Sequence, residues 1–140
     1  PDARHIAYIA RSRAESRKTS RPLYQHLRLL APDGSVRQRL AAGAEHVTEF
    51  TWVDSWRIVY TNGRPVKVPR GKEHLYRRDV QQLSVTDIAT GSQTCLTAGN
   101  FHHRFLDCHG DRFLVAECLP GYGATWADFE ADLFVITPRG

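Results

Sequence analysis

His102-His103-Arg104 is the run best equipped for chemistry, with two imidazoles and a guanidinium in a row. Imidazole is the commonest transition-metal ligand, and a guanidinium grips carboxylates through paired N–H donors. His46 lies 56 residues before His102, and the same offset sets Val47 against His103. Tyr122 and Trp126 sit in a Gly-rich stretch where a ring could stack on a sugar face. Arg11 to Arg21 carries five Lys/Arg against Glu15, and Arg64 to Asp79 carries six against Glu73 and Asp79. Together these residues describe a metal-bearing, anion-attracting site. The plainer alternatives are structural histidines at strand starts and two solvated basic loops. His5, His26, His74 and His109 read as surface or turn residues, and Trp52 and Trp56 as packing residues. There is no Ser-His-Asp order, phosphate-cradling Gly-rich loop or nucleic-acid module.

These residues must be positioned by a unit that recurs three times. Ile6-Ala7-Tyr8 returns as Ile58-Val59-Tyr60 and as Leu114-Val115-Ala116, 52 and then 56 residues on. A second apolar strand with its own turn follows each. Leu27-Arg28-Leu29 leads to Pro32-Asp33-Gly34, Leu83-Ser84-Val85 to Ala89-Thr90-Gly91, and Leu133-Phe134-Val135 to Pro138-Arg139-Gly140. Short strands and turns repeating at this length predict an all-β fold of β-propeller blades, in units of about 1–43, 44–99 and 100–140. With strands lettered A to D from the axis outward, the chain reads B-C-D, A-B-C-D, A-B-C. His46 and His102 then begin the innermost strands. The B-to-C connections, which carry the second basic segment, Tyr122 and Trp126, leave from the same end. Three four-stranded blades cannot close a ring, so the chain is expected to be an excerpt of a larger propeller.

The 140 residues suit one domain with a sizeable core, and 41% hydrophobic and 24% charged residues are ordinary for a globular protein. No apolar run approaches the roughly 20 residues of a membrane helix, so neither a membrane nor nucleic acid is expected as a partner. Cys95, Cys108 and Cys118 have no metal-type spacing and require no oxidising compartment, which favours the cytoplasm. Cys95 reads as a packing residue, and a bridge between Cys108 and Cys118 is conceivable.

The Pro-Asp-Gly turn, the Ile-Ala-Tyr strand and the Asp87-Ile88-Ala89-Thr90-Gly91 turn resemble the TolB-type propeller repeat. Glu45 to Val53, His102-His103-Arg104-Phe105 and the acidic stretch from Trp126 to Asp132 are more similar to the oligogalacturonate lyase family. That resemblance implies a seven-bladed propeller holding a divalent metal, typically manganese, on histidines. It also implies cleavage of pectin-derived acidic oligosaccharides by β-elimination. The metal ligands it points to are His103, His102 and His46, with Arg104, Trp126 and Tyr122 binding substrate. A one-residue ambiguity leaves open which of His102 and His103 points inward. Aligned on Trp52, a family histidine falls on Glu49, and Ala7-Tyr8-Ile9-Ala10 lacks another. The second expectation is a non-catalytic TolB-like propeller serving as a protein-interaction platform. An exposed apolar or charged rim patch would mark it.

Overall fold

The computed structural model describes residues 5–12, 24–40, 47–65, 70, 79–99, 101–118 and 131–137. Among these described residues ten strands run in chain order: β1 (Ile6–Ser12), β2 (Tyr24–Leu30), β3 (Val36–Arg39), β4 (Val47–Trp52), β5 (Arg57–Pro65), β6 (Asp79–Asp87), β7 (Gln93–Cys95), β8 (His102–His109), β9 (Arg112–Cys118) and β10 (Asp132–Ile136). They form three antiparallel meanders, β1-β2-β3, β4-β5-β6-β7 and β8-β9-β10. The expected all-β class and the expected division of the chain into three, four and three strands are both present. Among the described residues the sheets form no closed barrel or ring. No helix there is long and apolar enough to cross a membrane.

Short polar residues close the turns by satisfying backbone donors locally. In the first sheet, the Gly34 N–H reaches the Ala31 carbonyl at 2.9 Å around Pro32-Asp33. Gly34 has φ +81°, which glycine adopts without a Cβ penalty. Asp33 Oδ1 accepts from the Ser35 N–H at 2.9 Å. Asp54 and Asp87 act alike: Asp54 Oδ1 accepts from the N–H groups of Trp56 and Arg57, and Asp87 Oδ1 from those of Ala89 and Thr90. Asp54-Ser55, which has no Pro-Asp-Gly, is thus still a side-chain-closed turn.

The middle sheet has partners on both faces, and β5 accordingly buries consecutive residues from Ile58 to Gly63. Ile58 and Tyr60 of β5 join Leu27 and Leu29 of the first sheet, with Phe50 and Trp52 packed against them. The alternate residue Val59, with Leu83 of β6, joins Phe113 and Val115 of the third sheet. The sheets are therefore stacked face to face in chain order.

The structure corrects several expectations. β5 runs on to Pro65, because Asn62 and Gly63 still pair with Gln82 and Gln81. The B strands of the second and third units match at an offset of 55, with Arg57 against Arg112. The two-residue turn Gly110-Asp111 makes the β8–β9 hairpin tighter than the one before it. His26 is buried on β2, not at the surface. Cys108 is a free thiol, and the β8–β9 register puts residues 108 and 118 at opposite ends of one hairpin, beyond the reach of a disulfide. Trp52 packs as expected, whereas Trp56 is exposed, with its ring in a T-shaped contact with that of His5.

Candidate functional site

The start of β8 brings together residues from three strands of two sheets. His102, His103 and Arg104 each engage a different neighbour, as side-chain alternation along a strand directs. The Gln81 N–H on β6 donates to His102 Nδ1 at 3.2 Å. His103 Nε2 lies 2.7 Å from Glu117 Oε2 on β9, its partner in the ladder. Arg104 Nε donates to Glu49 Oε1 on β4 at 3.3 Å. These contacts tie β8, an edge strand of the third sheet, to two strands of the second.

Bulges make this arrangement. On β8 the register shifts by one between Phe105 and Asp107, which pairs His103 rather than Arg104 with Glu117. On β4 a similar shift between Val47 and Phe50 takes Thr48 and Glu49 out of the ladder. The Thr61 side chain fills the gap: the Glu49 N–H donates to Thr61 Oγ1 at 3.1 Å, and the Thr48 and Thr61 hydroxyls lie 2.8 Å apart. Bulges concentrate where a side chain must be re-aimed, and both bulges here lie beside charged groups.

His103 and His102 differ in chemistry. His103 is 3% exposed, and its Nδ1 is buried without a hydrogen-bond partner among the described residues. With the Glu117 carboxylate accepting, a neutral ring carries its proton on Nε2 and a lone pair on Nδ1. A ring held by a carboxylate on one nitrogen, with the other unpartnered among the described residues, is oriented as metal-ligating histidines commonly are. His102 is buried, and its Nδ1 already accepts the Gln81 N–H, so a neutral ring carries its proton on Nε2. A metal at either nitrogen of His102 would require breaking that bond.

The pair also stands out against the neighbouring repeat. Val47 faces Asn62 in the second sheet at the ladder position that His103 and Glu117 hold in the third. An aliphatic residue thus fills the slot in one unit and an imidazole–carboxylate pair in the next. Packing alone does not call for the exchange, because Val47 is fully buried there without polar help. Glu49, where the family resemblance places a histidine, forms the ion pair with Arg104, and its Oε2 is buried without a partner among the described residues.

Of the residues singled out from the sequence, His102, His103 and Arg104 lie side by side at one end of the sheets. His46, Tyr122 and Trp126 lie outside the described residues. No group of three or more His, Cys, Asp and Glu placed to hold a metal ion occurs among the described residues. Glu117, Glu49 and Gln81 were not anticipated. For Glu117 the signal was available: an acid two residues beyond the inward-facing Val115, on the same strand face. Hydrogen bonds and ion pairing lower the pKa values of Asp54 and Asp87 and raise that of Arg57, and all three lie at the other end of the strands, in or beside the turns. No family model, curated protein or solved structure matches the chain.

Proposed function

We propose that the three sheets are successive blades of a β-propeller whose inner-strand end binds an acidic oligosaccharide and a divalent metal, as in an oligogalacturonate lyase. The observation that carries this reading is the part-buried His103–Glu117 pair, whose buried imidazole Nδ1 has no hydrogen-bond partner among the described residues. Face-to-face stacking of three meanders in chain order supports the blade arrangement. His103 fits as one metal ligand, with Glu117 as the residue that positions its ring. His46, which matches His102 in the second unit, is a further candidate. Manganese is the metal the resemblance implies; when bound it would stabilise the negative charge that develops on the uronate carboxylate as the C5 proton leaves. Arg104 supplies a guanidinium for a substrate carboxylate, with Glu49 as the counter-charge it would exchange. Tyr122 and Trp126 are the proposed stacking residues.

The test is metal content together with absorbance of the unsaturated product from oligogalacturonides. Manganese should be retained, and elimination should vanish with His103→Ala. Glu117→Gln should weaken metal affinity about 10–100-fold while leaving the far-UV spectrum unchanged. A protein that keeps neither metal nor activity would sink the lyase reading. The second reading, a non-catalytic platform for protein partners, draws on the exposed apolar side chains of β10.

A further inference from the structure

β7 is much shorter than the strand it borders. It pairs only with Ser84, Val85 and Thr86 of β6, and the Leu96 N–H adds a last backbone bond to the Leu83 carbonyl at 2.8 Å. Beyond that rung, side chains replace the ladder. The Leu83 N–H donates to Thr97 Oγ1 at 2.9 Å, and the Thr97 hydroxyl donates to Gln82 Oε1 at 2.7 Å. Gln82 Nε2 donates to the Gly99 and Phe101 carbonyls at 3.2 and 3.0 Å. A chain held through side chains stands farther off than ladder contact would bring it. The gap is a cavity of about 390 Å³, lined by Val80 and Gln82 of β6 and by residues 95–99. That volume lies within the range of small-molecule sites.

The chemistry of the lining selects the occupant. Val80 and Gln82 are buried at the bottom, and Cys95, Ala98 and Gly99 are exposed at the mouth. Each polar side chain of the lining is already engaged. The Gln82 amide both donates and accepts, the Thr97 hydroxyl does the same, and the Cys95 thiol donates to the Thr97 carbonyl at 2.9 Å. A polar ligand would have to break one of these bonds to gain another. The side chains of Val80, Leu96 and Ala98 offer only apolar contact. The exposed Phe101 ring borders the rim, since a Cβ at Gly99 would lie 3.7 Å from its Cδ2.

We propose that this cavity binds an uncharged, apolar small molecule of one or two rings. The site is built by the second sheet and the start of its connection to the third. It uses none of His103, Glu117 and Arg104, so it stands apart from the lyase reading.

Cys95 is a free thiol at the mouth and serves as the reporter. The full chain is equilibrated with bis(2-phenylethyl) disulfide and 2-hydroxyethyl disulfide under excess reducing thiol. Peptide mass spectrometry then gives the ratio of the two adducts at Cys95, with the chain in denaturing urea as the reference. In the folded chain that ratio should favour the phenylethyl adduct by about tenfold over the reference, from burial of the ring. Toluene added to the wild type should lower the phenylethyl adduct and leave the hydroxyethyl adduct in place. Ala98→Trp, which fills the mouth from an exposed position, should return the ratio to the reference with the unfolding midpoint unchanged. The toluene arm needs no variant, so a poorly folded Ala98→Trp leaves the test intact. A wild-type ratio equal to that in urea, or an adduct that toluene does not displace, would overturn the inference.

Discussion

At the scale of single residues, the turn carboxylates and the His103 pair show two uses of a charged group. Burial raises the pKa of Asp54, but the Trp56 N–H, the Arg57 guanidinium and the Arg57 N–H outweigh it, so the net value is lowered. The Thr90 N–H lowers that of Asp87, against a smaller burial effect. A carboxyl with a lowered folded-state pKa stabilises the fold fully above the unfolded value, about 3.9 for aspartate. That stabilisation is lost as pH falls from there through the lowered native value. Acid titration of the wild type should therefore show stability falling below pH about 4. Asp54→Asn and Asp87→Asn should each flatten that fall and lower stability at neutral pH. An unchanged acid limb in both variants would mean that these carboxylates are not held as described. Neither effect should be large, because both turns are exposed and water screens them. His103 could be picked out from residue types alone, but its orientation could not. Without the bulge at Leu106 the tight turn would set Arg104, not His103, across from Glu117. A one-residue slip exchanges the faces of a strand, and nothing in the apolar alternation marks where a bulge falls.

At the scale of elements, strand positions were legible wherever an apolar pattern met a turn residue. Leu27-Arg28-Leu29, Leu83-Ser84-Val85 and Leu133-Phe134-Val135 fall inside the strands Tyr24–Leu30, Asp79–Asp87 and Asp132–Ile136. The pattern failed at the end of β5, where Asn62-Gly63 looks like a turn but sits in the ladder. Burial of both faces by neighbouring sheets overrides the local preference there. Turn geometry has its largest consequence at Gly110, which has φ +57° and begins the two-residue turn that sets the β8–β9 register. A Cβ added at Gly110 would meet nothing within 4 Å, so a substitution there tests backbone strain alone. Gly110→Ala should cost about 1–2 kcal/mol in urea denaturation, read as a lower midpoint at constant slope. Gly110→Asn should cost less, because asparagine tolerates the left-handed region. Equal losses in the two variants would argue against strain as the cause.

At the scale of the whole molecule, stability is shared through the middle sheet. β5 assigns alternate residues to different cores, with Ile58 and Tyr60 packing toward the first sheet and Val59 toward the third. The sequence repeat made three sheets legible. Their stacking was not, because it depends on which face of each strand its register presents. In a stacked repeat, stability is nearly a sum of unit and nearest-neighbour terms. Coupling through β5 should nevertheless make the three sheets unfold together. Leu29→Ala, in the first core, should cost about 2–5 kcal/mol, and Phe113→Ala, in the second, about 3–5 kcal/mol. Each should shift one common transition, seen alike by far-UV circular dichroism and by tryptophan fluorescence from Trp52 beside the first core. Two separated transitions in Phe113→Ala, with the Trp52 signal unmoved, would show instead that the third sheet unfolds on its own. The start of β8 would then be free to open without disturbing the first core, and the His103–Glu117 pair would be held only as firmly as that one interface allows.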